Sequence, residues 1–286
     1  MLTFHGRSAL RGPVTLAALL AAAGVAAQPP ANHRNFVACP ILLDTEPVPC
    51  WVADFQGERY FLTAQTGRGG GGNVNPPQLR HKALIQGVVT DEPRVCGGIP
   101  LTEIMISALM DELDESCNDY LPSGGYHATS YRVIGLDGDP PGPRESTAFQ
   151  PRFGARAGNA ERNALYKANA AARKPMEFDI RFFFNSDYII YPDEQEDVED
   201  AIDYAKLLNA SRIEVLAYRE AAQLSDGGEL IEKPEMPGRR ADKLKLILTD
   251  FGWPAEKLVV TAVDTPVHNG GVKDYETRRA LIRVIP

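Results

Sequence analysis

A proline- and glycine-rich stretch in the middle of the chain most constrains how it can fold. Residues 137–159 read DGDPPGPRESTAFQPRFGARAGN and show almost no apolar periodicity, which is typical of a linker. The chain has 286 residues, and one domain usually takes about 100–200 residues. We therefore predict two domains, at residues 28–136 and 177–286, with the linker and a short helix between them at residues 137–176.

The amino-terminal half predicts a small all-β domain. Its apolar runs are short and broken by turn residues, as in CWVADF, RYFLTA, KALIQGVVT, IMISAL and SYRVIGL. Five short strands fit an OB-like barrel, and a sandwich of similar size is the alternative. The glycine run at residues 67–73 is not followed by the Gly-Lys-Ser/Thr of a phosphate-binding loop, so it predicts a hairpin loop.

All four cysteines lie in this half, which indicates two disulfides and an oxidising compartment. Three pairings can be drawn. Cys39 with Cys50 and Cys96 with Cys117 close the shortest loops, each stabilising the fold by about 3 kcal/mol. A zinc site is disfavoured because no Cys-x-x-Cys spacing occurs and the histidines are scattered. We predict no metal and no cofactor.

The first residues are typical of an export signal. Arg7 and Arg11 precede an apolar stretch at residues 13–25, and small residues follow up to Ala27, so we predict a signal peptide at residues 1–27. No later stretch is long and apolar enough to span a bilayer. The formal charge of −8 argues against a nucleic-acid partner. We expect a periplasmic protein, attached to the outer membrane through a partner.

The carboxyl-terminal half alternates strand and helix patterns. EFDIRFFF, RIEVLAY, KLVVTAV and RRALIRVI predict strands, and PDEQEDVEDAIDYAKLLN and GRRADKLKLILTDFG predict helices with an apolar stripe. Pro192 suits the start of the first helix and Gly252 the end of the second. The order β-α-β-α-β-β predicts an α+β sandwich with helices on one sheet.

These segments resemble the OmpA-like peptidoglycan-binding domain. The resemblance covers residues 177–286 and rests on FFFNS, IEVLAY, RRADKLKLIL and TRRALIRVI in the order that the family has them. It implies a non-covalent grip on the diaminopimelate of the peptidoglycan stem peptide. That ligand carries an ammonium and a carboxylate on one carbon, so its receptor needs opposite charges close together.

The resemblance also implies the residues of the site. Arg240, followed by Ala241, matches the family's arginine at the start of the second helix, and Glu220 stands where the family has an aspartate after the second strand. Arg219 replaces a threonine beside that aspartate, and Arg279 belongs to the match with the family's Asn-Arg-Arg. The implied peptidoglycan site is therefore Glu220, Arg240, Arg219 and Arg279.

Some of the family's supporting polar residues are replaced in this chain. Lys233 stands for an asparagine, and Met236 and Pro237 stand for a Leu-Ser pair, which removes one backbone donor. Two hypotheses follow. In the first, the chain is a cell-envelope protein that binds peptidoglycan and anchors an envelope assembly. In the second, it is an adaptor of an outer-membrane complex whose OmpA-like domain no longer binds the wall and docks protein instead.

An enzyme is the third class, and the sequence disfavours it. It shows no serine in a nucleophile elbow, no metal-ligand spacing, and no Cys and His arrangement apart from the predicted disulfides. We therefore expect a protein without catalytic activity, whose partners are peptidoglycan and an outer-membrane or periplasmic protein.

Overall fold

The structure is a computed structural model that describes residues 29–43, 45, 49–64, 80–111, 113–118, 160–189 and 193–286. The predicted signal peptide, the glycine run, the strand SYRVIGL and the linker at residues 137–159 lie outside these residues. In the part that is described, every helix is too short or too polar to cross a membrane.

The described strands of the amino-terminal half form a six-stranded sheet in the order β1-β5-β6-β4-β3-β2. Neighbouring strands are antiparallel, except that β4 and β6 are parallel. Their bounds are β1 His33–Ala38, β2 Ile41–Leu43, β3 Cys50–Phe55, β4 Glu58–Ala64, β5 Ala83–Val89 and β6 Ile99–Ala108. Four of the five predicted strands are present, and β1 and β2 were not predicted.

This sheet curls without closing. Phe36 of β1 stacks on Phe55 of β3 at 4.6 Å between ring centroids and also contacts Tyr60 of β4. The curl encloses a small apolar core. Because β1 and β2 lie at opposite edges, the described strands form a half-barrel, and the closed OB-like barrel that the sequence suggests is not formed among them.

Two disulfides join the strands of this half. Cys39 is bonded to Cys117 and Cys50 to Cys96, so the predicted shortest-loop pairing is wrong. The strand order explains the difference, because β4 pairs with the start of β6 and brings the turn before β6 beside β3. With 78 and 46 residues between the bonded partners, each bond contributes about 4 kcal/mol in the chain-entropy account, more than a short loop would give.

The carboxyl-terminal half follows the predicted β-α-β-α-β-β order, with one hairpin added. Its elements are α1 Ala160–Ala171, β7 Met176–Arg181, α2 Asp193–Leu208, β8 Arg212–Ala217, β9 Ala221–Gln223, β10 Glu229–Ile231, α3 Met236–Asp250, β11 Leu258–Ala262 and β12 Arg279–Ile285. The main sheet has the order β11-β8-β12-β7, and β9 and β10 form the added hairpin. The predicted strands and helices of this half are thus confirmed.

Helices α2 and α3 cover one face of this sheet. Alternate residues of β8 and β12, such as Val215 and Ile282, are fully buried against apolar residues of the helices, such as Ile202 and Leu244. Their alternation follows from the two-residue period of a strand, and the apolar stripes follow from the helical period. Gly252, with a φ of 85°, follows the end of α3 in the left-handed conformation that glycine favours.

The two halves share a buried boundary. Strand β5 is buried on both faces: Ile85 points into the half-barrel, and Leu84 packs on Phe184 and Ala222 of the carboxyl-terminal half. A second apolar cluster joins Met105 of β6 to residues beside β7 and β12. Each half has its own sheet and core, but their separation into two independent domains stays a prediction.

Candidate functional site

The sequence singled out Glu220 and Arg240, and both lie at the end of the main sheet that faces the half-barrel. Glu220 follows β8, and Arg240 lies in the second turn of α3. Both side chains have 0% exposure. They are near each other, but they do not form one open charged pocket, because each belongs to a separate buried ion pair.

Arg240 is bound on all sides by acceptors from its own chain. Its Nε donates to the carbonyl of Ser186 at 3.0 Å, and its two terminal nitrogens donate to the carbonyls of Tyr218 and Phe183. Both terminal nitrogens also donate to the carboxylate of Glu232. A guanidinium has five N–H donors, and all five are therefore used.

The Glu232 carboxylate is satisfied just as completely. Its Oε1 accepts from the backbone N–H of Asn185 at 2.7 Å and from Arg240. Its Oε2 accepts from the backbone N–H of Glu220 at 2.8 Å and from Arg240 at 2.8 Å. Neither side chain of the Glu232–Arg240 pair is exposed to solvent. The ring of Phe182 lies 4.9 Å from the Arg240 guanidinium carbon and completes the enclosure.

Glu220 is held by Arg278 and by a glutamine of the other half. Its Oε2 accepts from Arg278, and its Oε1 accepts from the side-chain amide of Gln86 at 2.8 Å. The Gln86 oxygen accepts in turn from Arg278 at 2.9 Å, which closes a three-residue cycle. Burial raises the pKa of Glu220, and the Arg278 charge opposes that rise. Arg278 also donates its Nε to the carbonyl of Phe182 at 2.7 Å, so the second pair takes only part of its hydrogen bonds from strand β5.

Other polar contacts surround this centre. Asn35 of β1 donates its side-chain amide to the carbonyls of Gln223 and Gly271 at 3.0 and 2.8 Å. Asp111 at the rim accepts from Lys233 at 2.6 Å and from Asn185 at 3.0 Å. The contacts close the boundary around the buried charges, so the half-barrel covers this end of the sheet.

The other two predicted site residues do not take part in the buried ion pairs. Arg219 is half-buried and donates to the carbonyls of Asp264 and Glu232. Arg279 lies on the sheet face opposite the helices and pairs with Asp179 at 3.0 Å, with both side chains about two-fifths exposed. Arg219 therefore lies beside the site and contacts the backbone of Glu232, whereas Arg279 lies outside the site.

Sequence reasoning missed the three residues that complete the site. Glu232, Arg278 and Gln86 were not assigned a role, although two of them carried a signal. Gln86 is a polar residue within the otherwise apolar strand ALIQGVV, and Arg278 directly precedes the last buried strand. Among the described residues, no cluster of three or more side chains could hold a metal ion.

Comparison with solved structures finds partial similarity. The OmpA-like domain of FopA1 from Francisella tularensis subsp. tularensis SCHU S4 is 15% identical, and the match covers 39% of this chain and 73% of that chain with a TM-score of 0.31. A MotB-like protein from Desulfovibrio vulgaris is 9% identical, with 44% of this chain and 92% of that chain covered at a TM-score of 0.31. No family model matches the sequence, and a search of curated proteins finds no match.

Proposed function

We propose that this chain is a non-catalytic adaptor of the cell envelope, in which the OmpA-like half serves as a protein docking surface and not as a peptidoglycan receptor. The observation that supports the proposal is the state of Arg240 and Glu220. Both are fully buried, and the chain itself supplies the acceptors and donors that a wall ligand would have to supply. This end of the sheet already binds one protein surface, the half-barrel of the same chain, through Gln86.

Magnitudes favour this proposal over wall binding. Separating a buried ion pair costs about 3–5 kcal/mol when one partner is left without compensation. A desolvated charge pair contributes roughly 2–5 kcal/mol to the binding of a ligand. A wall peptide that had to open both the Glu232–Arg240 and the Glu220–Arg278 pair would therefore gain no more than the opening costs.

The cell envelope, and the periplasm in particular, is part of the proposal. Two disulfides suit an oxidising compartment, and the sequence pattern of residues 1–27 suits export. The partner would be an outer-membrane or periplasmic protein.

Peptidoglycan binding is the second candidate. The observation in its favour is that the two positions that match the family's aspartate and arginine carry the same charges here, with an acid at 220 and an arginine at 240. This candidate requires the segment that carries Glu232 to leave Arg240 before a ligand can enter.

Sedimentation with purified sacculi distinguishes the two candidates. The oxidised full-length mature chain is mixed with sacculi, alongside an established peptidoglycan-binding domain as the positive control. We expect the chain to stay in the supernatant while the control sediments. Saturable sedimentation that free diaminopimelate releases would establish wall binding and overturn the adaptor proposal. Release of soluble wall fragments in the same tubes would contradict the proposed lack of catalysis.

A further inference from the structure

Four donors converge on the Glu232 carboxylate from three segments that are far apart in the sequence. The backbone N–H of Asn185 follows β7, the backbone N–H of Glu220 follows β8, and the Arg240 fork belongs to α3. Two amides and a bidentate guanidinium are the groups that bind a carboxylate most strongly in a protein. Together they form a complete receptor for one carboxylate.

This receptor is built on well-packed parts of the carboxyl-terminal half. The residues around it are buried, including Phe182, Phe183 and Met236. Arg240 is further fixed by three backbone carbonyls, so its fork keeps its direction independently of Glu232. The geometry of the donors is therefore set by the scaffold.

The carboxylate that these donors bind, in contrast, belongs to a segment at the protein surface. Glu232 directly follows β10, a three-residue strand that pairs with β9. Its neighbours on both sides, Ile231 and Lys233, are exposed. The backbone N–H of Glu232 donates to the Glu220 carbonyl at 3.0 Å, and the Glu232 carbonyl accepts from Arg219 at 2.8 Å. The buried carboxylate thus directly follows β10, a largely exposed strand, whereas its partner strand β9 is buried.

We propose that the site is a carboxylate receptor whose resident ligand is the chain's own Glu232, which keeps the receptor closed to carboxylates from outside. The receptor recognises only the carboxylate group, because all four donors bind its two oxygens and none contacts another part of the ligand. The proposal rests on the same Glu232–Arg240 contacts as the proposed function, and the experiment below tests it separately because it measures formate binding and not wall binding.

Chemical rescue of the full-length Glu232→Ala chain tests the proposal. The substitution removes the carboxylate and leaves space and unpaired donors, so its melting temperature should fall by several degrees. Sodium formate or acetate should then raise it saturably, by about 3–8 °C at concentrations well above Kd. Sodium chloride at equal ionic strength is the salt control. Parent chain and Glu235→Ala, which changes an exposed acid on the same segment, should show no such rise.

The double variant Glu232→Ala with Arg240→Met should lose the response to formate, because the fork is gone. Equal effects of formate and chloride on a folded Glu232→Ala chain would overturn the proposal. If this variant does not fold in chloride, refolding from urea in formate becomes the measurement. Recovery in formate but not in chloride supports the receptor, and failure in both salts contradicts it.

Discussion

The two buried ion pairs lie side by side, yet they differ in what completes them. Glu232–Arg240 is satisfied entirely by the carboxyl-terminal half, from Asn185, Glu220 and nearby carbonyls. Glu220–Arg278 needs Gln86 of the amino-terminal half for one hydrogen bond to each charge. The first pair therefore stabilises the carboxyl-terminal half alone, whereas the second joins the two halves.

Neighbouring arginines show a second contrast, between a buried and a more exposed side chain. Arg239 is exposed and Arg240 buried, and Arg279 is partly exposed beside the buried Arg278. Removing the arginine of a buried ion pair leaves a charge in a low-dielectric interior, whereas removing the arginine of a surface pair leaves a charge in water. The loss of unfolding free energy should therefore be severalfold larger for the buried arginine than for its neighbour.

The largest effect is expected from Arg240→Ala. It leaves the buried Glu232 carboxylate without its cation, so the free energy of unfolding should fall by about 3–5 kcal/mol in urea titrations. Arg239→Ala, which breaks an exposed contact with Asp187 at 3.2 Å, should cost less than about 1 kcal/mol. Equal losses in the two variants would show that the Glu232–Arg240 pair is not buried in solution.

Gln86→Ala tests whether the second pair joins the halves. It removes two hydrogen bonds to charged groups, and we expect a loss of about 2–3 kcal/mol. Each half contains one of the two tryptophans, Trp51 and Trp253, so Trp→Phe variants let fluorescence follow each half separately.

The two tryptophan signals should change at the same urea concentration in the parent chain and at different concentrations in Gln86→Ala. Gln195→Ala, an exposed glutamine on α2, is the control and should keep the transitions together. Coincident transitions in all variants would contradict a joining role for Gln86.

Asp197 is a partly buried carboxylate that lacks the set of hydrogen-bond donors found around Glu232, so its ionisation lowers the stability of the fold. Burial raises its pKa from 3.8 to about 6, Asp200 adds to the shift, and Arg162 and Arg181 oppose it. A raised folded pKa means that stability is full below the unfolded value and is lost as pH rises through the folded one.

Asp197→Asn should therefore be more stable than the parent at pH 8 by about 1 kcal/mol, after allowance for solvent screening. The gap should narrow as pH falls through the folded pKa and close near pH 3, below the unfolded pKa of 3.8, where Asp197 is protonated in both the folded and the unfolded parent chain. Thermal unfolding at the two pH values measures it. A gap that widens towards pH 4 would have the wrong sign for this cause.

The smallest effect is expected from Arg279→Ala. Its partner Asp179 is partly exposed, and the pair lies on the open face of the sheet. We expect a change below about 1 kcal/mol that diminishes further at high salt. Arg278→Ala, one residue earlier, should cost about 3–5 kcal/mol. Similar losses for the two would remove the contrast between buried and surface arginines.

Periodicity predicts most of the carboxyl-terminal fold and less of the rest. Helices α2 and α3 and strands β8 and β12 have clear apolar patterns, because one face of each meets a single core. The hairpin of β9 and β10 was missed because three-residue strands show no period. The disulfide pairing was missed because it depends on strand order, which spacing in the sequence does not reveal.

The charges of the site were predictable, but their partners were not. Glu220 and Arg240 were identified by resemblance, and the structure buries both. Gln86 lies 134 residues from Glu220, and Arg278 lies 58 residues from it. Pairing of β12 with β8 brings Arg278 to Glu220, and packing of the half-barrel on the sheet brings Gln86. No local sequence pattern encodes either contact.

The disulfide topology has a consequence for how the chain matures. The Cys50–Cys96 bond is nested inside the loop that Cys39–Cys117 closes. In the proposed periplasmic location, a chain that emerges amino terminus first would present Cys39 and Cys50 together before either native partner is available. Oxidation at that moment would trap a non-native crosslink, and thiol–disulfide exchange would have to undo it. The efficiency of maturation should therefore depend on an isomerase, and an oxidase acting alone should yield mispaired chains.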